Sequence, residues 1–180
     1  PASTPAHPDR APRPPPAAHN PALTYAGNLE TLASLADDDG HPFVKGGIGD
    51  RDLVARLLRE HRPRAVINFA AESHVDRSIE APDAFIQTDV FGTFVLLEAA
   101  RDAGIRHLQI STDEVYGSIA EGSFTEASPL DPTSPYAASK AGGDLIVSAF
   151  RHTWDTESLI VRASNNYGPR QHPEKRIPGG

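Results

Sequence analysis

Between Asp50 and Ala163 the apolar positions alternate between helical spacing and short unbroken runs. Leu53, Val54, Leu57 and Leu58 form one stripe, with Arg51, Arg56, Arg59 and Glu60 on the other side. Asp50 suits the N-cap of that helix and Pro63 stops it. The run Ala65–Ala70 has little polar interruption, as in a strand whose sheet is covered on both faces. Pro82 opens a long helix to about Asp102, with Phe85, Val90, Phe94, Leu97 and Val95 as its core side and Gly104 as its end. His107–Thr112 is the next strand. A helix follows from Ser134 to about His152, with Ser134 as N-cap and Pro135 at its first position. Ser158–Ala163 is the last strand. Earlier in the chain, Asn28 caps a short helix through about Leu35, and Phe43-Val44 is a weak strand candidate. Strand, helix, strand, helix, strand predicts an α/β fold with a parallel sheet wound by right-handed crossovers.

Composition narrows this picture. Residues 1–22 hold eight of the 17 prolines and almost no large apolar side chain, so they are expected to form a disordered or polyproline-like tail, with residues 23–180 as the folded unit. The charge of −7, from 17 Lys and Arg against 24 Asp and Glu, speaks against a nucleic-acid groove. Without cysteine there are no disulfides or thiolate metal sites. No run of about 18 apolar residues suggests a membrane span, and no basic-then-apolar leader is seen, so a cytoplasmic protein is the default.

Candidate chemistry gathers in Ser111–Lys140. Thr112, Asp113 and Glu114 fall where a strand ends and its loop begins, the place where open α/β sheets put their ligands. Tyr136 and Lys140 are four apart on one helical face, and an ammonium beside a phenol favours the phenolate. Two carboxylates and an activated phenol make an acid/base site. His74 has no second histidine at ligand spacing, so no metal is expected there.

Six motifs in order then resemble the dTDP-glucose 4,6-dehydratases, an extended short-chain dehydrogenase/reductase family. They are Thr24-Tyr25-Ala26-Gly27-Asn28-Leu29, the run from Asn68 to Ser78, Ser111 to Gly117, the Tyr136/Lys140 pair, Ser164 to Pro169, and Pro173-Glu174-Lys175. Tyr-x-x-x-Lys alone identifies little; Thr-Asp-Glu after the strand is the discriminating piece. The resemblance implies a Rossmann-like parallel sheet with helices on both faces, tightly held NAD, and conversion of dTDP-glucose to dTDP-4-keto-6-deoxyglucose. It implies that Tyr136 takes the 4-hydroxyl proton, with Lys140 lowering its pKa and holding the nicotinamide ribose, and that Thr112 bonds the same oxygen. Glu114 would remove the C5 proton while a protonated Asp113 serves the departing 6-hydroxyl, a division that partial burial would favour. Ala70, Ala71, Glu72, Thr88, Ser111 and Asn166 would join Tyr136 and Lys140 in contacting the cofactor. Ser73, Asn165, Glu174 and Lys175 would contact substrate with Thr112, although Ser73 also suits a helix cap and both asparagines suit a turn. The helices from Pro82 and Ser134 would form a homodimer interface.

The chain departs from the family's pattern at three places. Pro21 and Gly47 stand where acidic residues grip the adenosine ribose and the adenine, and no Gly-x-x-Gly-x-x-Gly loop occurs. The first strand and most of the C-terminal substrate domain are expected to be missing. The alternatives are a 4-epimerase or decarboxylase of the same fold, or an inactive or regulatory fragment.

Overall fold

The computed structural model describes residue 33, residues 37–72 and residues 82–166. Helix α1 (Arg51–His61) is capped by Asp50, whose Oδ1 accepts the Leu53 N–H at 3.0 Å, and ends at Arg62 in a left-handed conformation. Strand β1 (Ala65–Asn68) follows. Helix α2 (Pro82–Phe85), a π-helical segment (Ile86–Gly92) and helix α3 (Thr93–Ala103) run together as one rod, closed by Gly104 with φ of 64°. Then come β2 (Arg106–Thr112), a 3₁₀ turn (Asp113–Tyr116), α4 (Pro135–Trp154) and β3 (Ser158–Ala163). Ser134 accepts the Ala137 N–H at 3.1 Å, so the cap and the proline expected at this helix start are both in place.

The sheet is parallel, in the order β1–β2–β3. Helices α3 and α4 pack on one face of it, and α1 packs against α3. Val66, Ile48, Val54, Val95 and Leu96 form one core cluster, and Leu97, Val147, Phe150 and Ile160 another. On the opposite sheet face Ile67 lies beside Leu108, Leu108 beside Leu159 and Ile110 beside Val161. There Ile67, Leu159 and Val161 remain exposed. The parallel sheet agrees with the sequence; a second layer of helices is not found among the described residues.

Other expectations shift. The π-helical segment rotates the rod, so Asp89 and Thr93 are buried while Val90 and Phe94 are only half-buried. Phe43 forms an isolated bridge, and Phe43-Val44 is not a strand. The expected tail 1–22 lies outside the described residues. So does the expected Asn28–Leu35 helix, apart from Ala33.

Candidate active site

The ends of β2 and α4 converge. Thr112 is the last residue of β2 and caps the 3₁₀ turn, its Oγ1 accepting the Glu114 N–H at 3.2 Å and donating to Asp113 Oδ1 at 3.3 Å. Gly117 ends the turn with φ of 83°, and a Cβ there would lie 2.3 Å from the Asp131 carbonyl oxygen, so only glycine fits. Thr112 is buried, whereas Asp113 and Glu114 are exposed, so the partial burial expected to separate their protonation is not present.

Tyr136 lies in the first turn of α4, its ring edge-on to Phe85 at 6.3 Å between centroids. Burial pushes its phenol up to about 12, helped by the negative charges of Glu114, Asp89 and Asp113 and opposed by a hydrogen bond with Thr112. Tyr136, Thr112, Asp113 and Glu114 therefore share one electrostatic neighbourhood. Lys140 lies one helical turn further along α4 and is buried. Its Nζ donates to the Ile110 carbonyl at 2.8 Å, and its charge is engaged by Asp89 and Asp144. Burial holds the Lys140 pKa below its ordinary value, against the pull of those two acids.

On the cofactor side, Ala70 and Thr88 line one cavity of about 330 Å³ with Gly47, Ile48, Gly49, Asp50, Gln87 and Phe91. It lies beyond the C-terminal end of β1, where ligands of open α/β sheets bind. Ala70 is fixed there by its N–H bond to Asn68 Oδ1 at 3.1 Å. Ala71 and Glu72 follow it, and the Glu72 charge reaches Asp89. Ser111 is buried next to Thr112 in β2. Asn165 and Asn166 are exposed just beyond β3, Asn166 Nδ2 donating to the Ser164 carbonyl at 3.4 Å. Ser73, Glu174 and Lys175 lie outside the described residues. Among the described residues no group of histidine, aspartate and glutamate is placed to hold a metal ion.

Sequence reading missed the polar interior beneath this edge. Asn68 Nδ2 donates to Gln109 Oε1 at 2.9 Å and Thr93 Oγ1 at 3.2 Å, tying β1, β2 and α3 together. Ser139 donates to Asp89 Oδ2 at 2.7 Å. Arg162 donates through Nε to Asp144 Oδ2 at 2.8 Å and through NH1 to the Tyr116 hydroxyl at 2.7 Å. The available signal was Asp89, Gln109, Asp144 and Arg162 interrupting otherwise apolar elements. Periodicity alone reads such interruptions as solvent-facing.

Comparison with known proteins follows the same lines. The family model described as GDP-mannose 4,6 dehydratase matches residues 17–179. A dTDP-glucose 4,6-dehydratase of Xanthomonas campestris pv. campestris is 60% identical over 168 residues, covering 87% of this chain and 48% of the relative. The low-salt glycan biosynthesis protein Agl12 of Haloferax volcanii is 56% identical over 158 residues, covering 87% of this chain and 50% of the relative. The crystal structure of DesIV, a dTDP-glucose 4,6-dehydratase of Streptomyces venezuelae with NAD and TYD bound, has a TM-score of 0.85 and 54% identity over 89% of this chain and 50% of its own. The chain thus spans about half the length of the curated relatives it matches. A family model that matches nearly the whole chain and relatives 56–60% identical to it lead to one assignment: the chain belongs to the GDP-mannose 4,6 dehydratase family.

Proposed function

We propose that this chain carries the catalytic edge of an NAD-dependent dTDP-glucose 4,6-dehydratase, producing dTDP-4-keto-6-deoxyglucose. The observation that supports this most directly is that Thr112, at the end of β2 and directly before Asp113 and Glu114, hydrogen-bonds the Tyr136 phenol in the first turn of α4. One sugar ring placed there would meet a phenol, a hydroxyl and two carboxyl groups. The residues on this side fit NAD in part: Ala70 and Thr88 line a cavity at the sheet edge, while Gly47 in its wall brings no carboxylate to an adenine. NAD, when bound, supplies the hydride acceptor at C4 and the hydride donor at C6. In this reading Tyr136 takes the proton from the sugar 4-hydroxyl, and Thr112 bonds the same oxygen. The 4-ketone then acidifies C5–H. Glu114 removes that proton and Asp113 gives one to the leaving 6-hydroxyl, so water departs without a charged leaving group.

Ala71, Glu72, Ser111, Lys140 and Asn166 contact the cofactor in this reading, and Ser73, Asn165, Glu174 and Lys175 contact the sugar nucleotide. A 4-epimerase would invert C4 without eliminating water and would leave both Asp113 and Glu114 without a task. A cytoplasmic homodimer also belongs to the proposal, supported by exposed Ile86 and Phe91 on the π-helical segment and Leu145 and Trp154 on α4.

The test is to purify the chain, measure its NAD content and follow dTDP-glucose turnover through the alkaline absorbance of the 4-keto-6-deoxy product. Tyr136→Phe should lower turnover by about 100-fold or more. Glu114→Gln and Asp113→Asn should each slow elimination and alter the pH–rate profile. Unchanged profiles in both carboxyl variants would overturn the roles given to them.

A further inference from the structure

The polar cluster of Tyr116, Asp144 and Arg162 has no task in the dehydration scheme, yet it ends on the turn that carries both carboxyl groups. Arg162 stands in β3 beside Ser111 of β2, one residue before that strand ends at Thr112. Its Nε donates to Asp144 Oδ2 on α4 at 2.8 Å, and a terminal guanidinium nitrogen donates to the Tyr116 hydroxyl at 2.7 Å. The guanidinium carbon lies 5.0 Å from the centre of the Tyr116 ring, which also stacks on Phe124 at 5.3 Å between centroids. Tyr116 is the last residue of the 3₁₀ turn that begins at Asp113.

We propose that Arg162 is a positioning residue for Asp113 and Glu114: it locks the exit of their 3₁₀ turn to α4, the helix that bears Tyr136.

The argument is one of geometry. A single 3₁₀ turn has poor internal hydrogen bonds, so its place is set by what holds its two ends. At the entry, Thr112 Oγ1 accepts the Glu114 N–H at 3.2 Å. At the exit, the Gly117 N–H bonds the Glu114 carbonyl at 3.1 Å, which closes the turn on itself and ties it to no other element. The Asp131 N–H reaches the Val115 carbonyl from the loop that follows, and Ala141 of α4 packs on Val115 and Tyr116 without fixing a direction. Arg162 supplies the directed link. Its planar fork sets two donors at a fixed angle, so one guanidinium couples the position of Tyr116 to that of Asp144. Asp144 is 1% exposed and Tyr116 7% exposed, so neither finds water readily if the bridge is lost. Asp144 and Tyr136 lie on the same helix, about two turns apart. The bridge therefore fixes the backbone that bears the two carboxyl groups relative to the helix that bears the phenol. The inference rests on the reading that these three groups form the acid/base site, but its first readout does not need turnover.

In the full chain without NAD or sugar nucleotide, Tyr116→Phe keeps the ring beside Phe124 and removes only the hydroxyl. Hydrogen exchange at the Gly117 amide should quicken by about fivefold or more. The Ala137 amide, capped by Ser134 at the start of α4, should keep its wild-type rate. Arg162→Gln combined with Asp144→Asn cuts the same bridge from the other end without leaving a buried charge unpaired, and should quicken Gly117 alike. Unchanged Gly117 exchange in either folded variant overturns the proposal. With NAD bound and dTDP-glucose added, Tyr116→Phe should accumulate reduced cofactor, read by its near-ultraviolet absorbance. Oxidation at C4 uses Tyr136, which stays in place, while elimination uses the displaced carboxyl groups. Its kcat should fall by about tenfold with little change in KM. Equal slowing of oxidation and elimination, with no reduced cofactor, would mean a general loss of structure and overturn the positioning role. A chain with the exchange difference but no dehydratase turnover would retain the hold of Arg162 on the turn and lose only the substrate assignment.

Discussion

At the scale of single residues, two buried groups give folding opposite dependences on pH. Burial lifts the Asp89 carboxyl to about 6, with Lys140 and Ser139 opposing the rise and Glu72 adding to it. Burial alone drops His107 to about 4, and neither of its ring nitrogens finds a partner among the described residues. Asp89 binds its proton more tightly folded than unfolded, so its contribution is full below pH 3.8 and lost as pH rises through about 6. His107 binds its proton less tightly folded, so its contribution is full above pH 6.5 and lost as pH falls towards about 4. Between pH 4.5 and 6.5 the two nearly cancel. Relative to wild type, His107→Leu should gain roughly 2 kcal/mol on acidification over that range, and Asp89→Asn should lose about as much. Urea titrations at the two pH values check both signs. Parallel curves for wild type and His107→Leu would mean that the ring titrates normally.

At the scale of elements, the helix that carries Tyr136 and Lys140 is held by close backbone approach as well as by apolar packing. Gly142 and Gly143 face the π-helical segment, and a Cβ at Gly143 would meet a main-chain oxygen, which cannot swing aside as a side chain can. Gly143→Ala should therefore cost about 1–3 kcal/mol by thermal melting, despite alanine's better helix propensity. A rise in Tm would show that α4 has room to move. The buried amides give a second test. Gln109→Leu leaves Asn68 without its 2.9 Å partner and should destabilise by about 1–3 kcal/mol. Because Asn68 also holds the Ala70 N–H, this change should disturb the sheet edge where the cofactor is proposed to bind, visible as amide shifts at Ala70 and Ala71.

At the scale of the whole molecule, the sheet is covered unevenly. Its helix-covered face includes Asn68, His107, Gln109, Ser111 and Arg162, whereas its exposed face carries Ile67, Leu159 and Val161. An apolar surface of this kind on an isolated chain favours association. Leu159→Lys together with Val161→Lys should reduce self-association of the chain in sedimentation experiments. Leu145→Glu, on the helical layer, separates this effect from the proposed dimer: it should disrupt dimers if they form through α4 and leave sheet-mediated association unchanged.

The sequence by itself determined the main helices and strands after Asp50 and several of their ends, because caps, stops and apolar spacing are local physics: Asp50 and Ser134 cap their helices, and Gly104 closes the rod. It also singled out Thr112, Asp113, Glu114 and Tyr136 as candidates, since a polar cluster at a strand end is visible in the order of residues along the chain. Only the tertiary structure decided which sheet face is buried, because strand alternation defines two faces without saying which one the helices will cover. It likewise decided the partners of Lys140. Its Nζ reaches the carbonyl of Ile110 in β2, and Asp89, on the π-helical segment, is brought to α4 through Ser139. Desolvation and charge pairing are set by what surrounds a group in space, and the order of residues along the chain does not contain that distance.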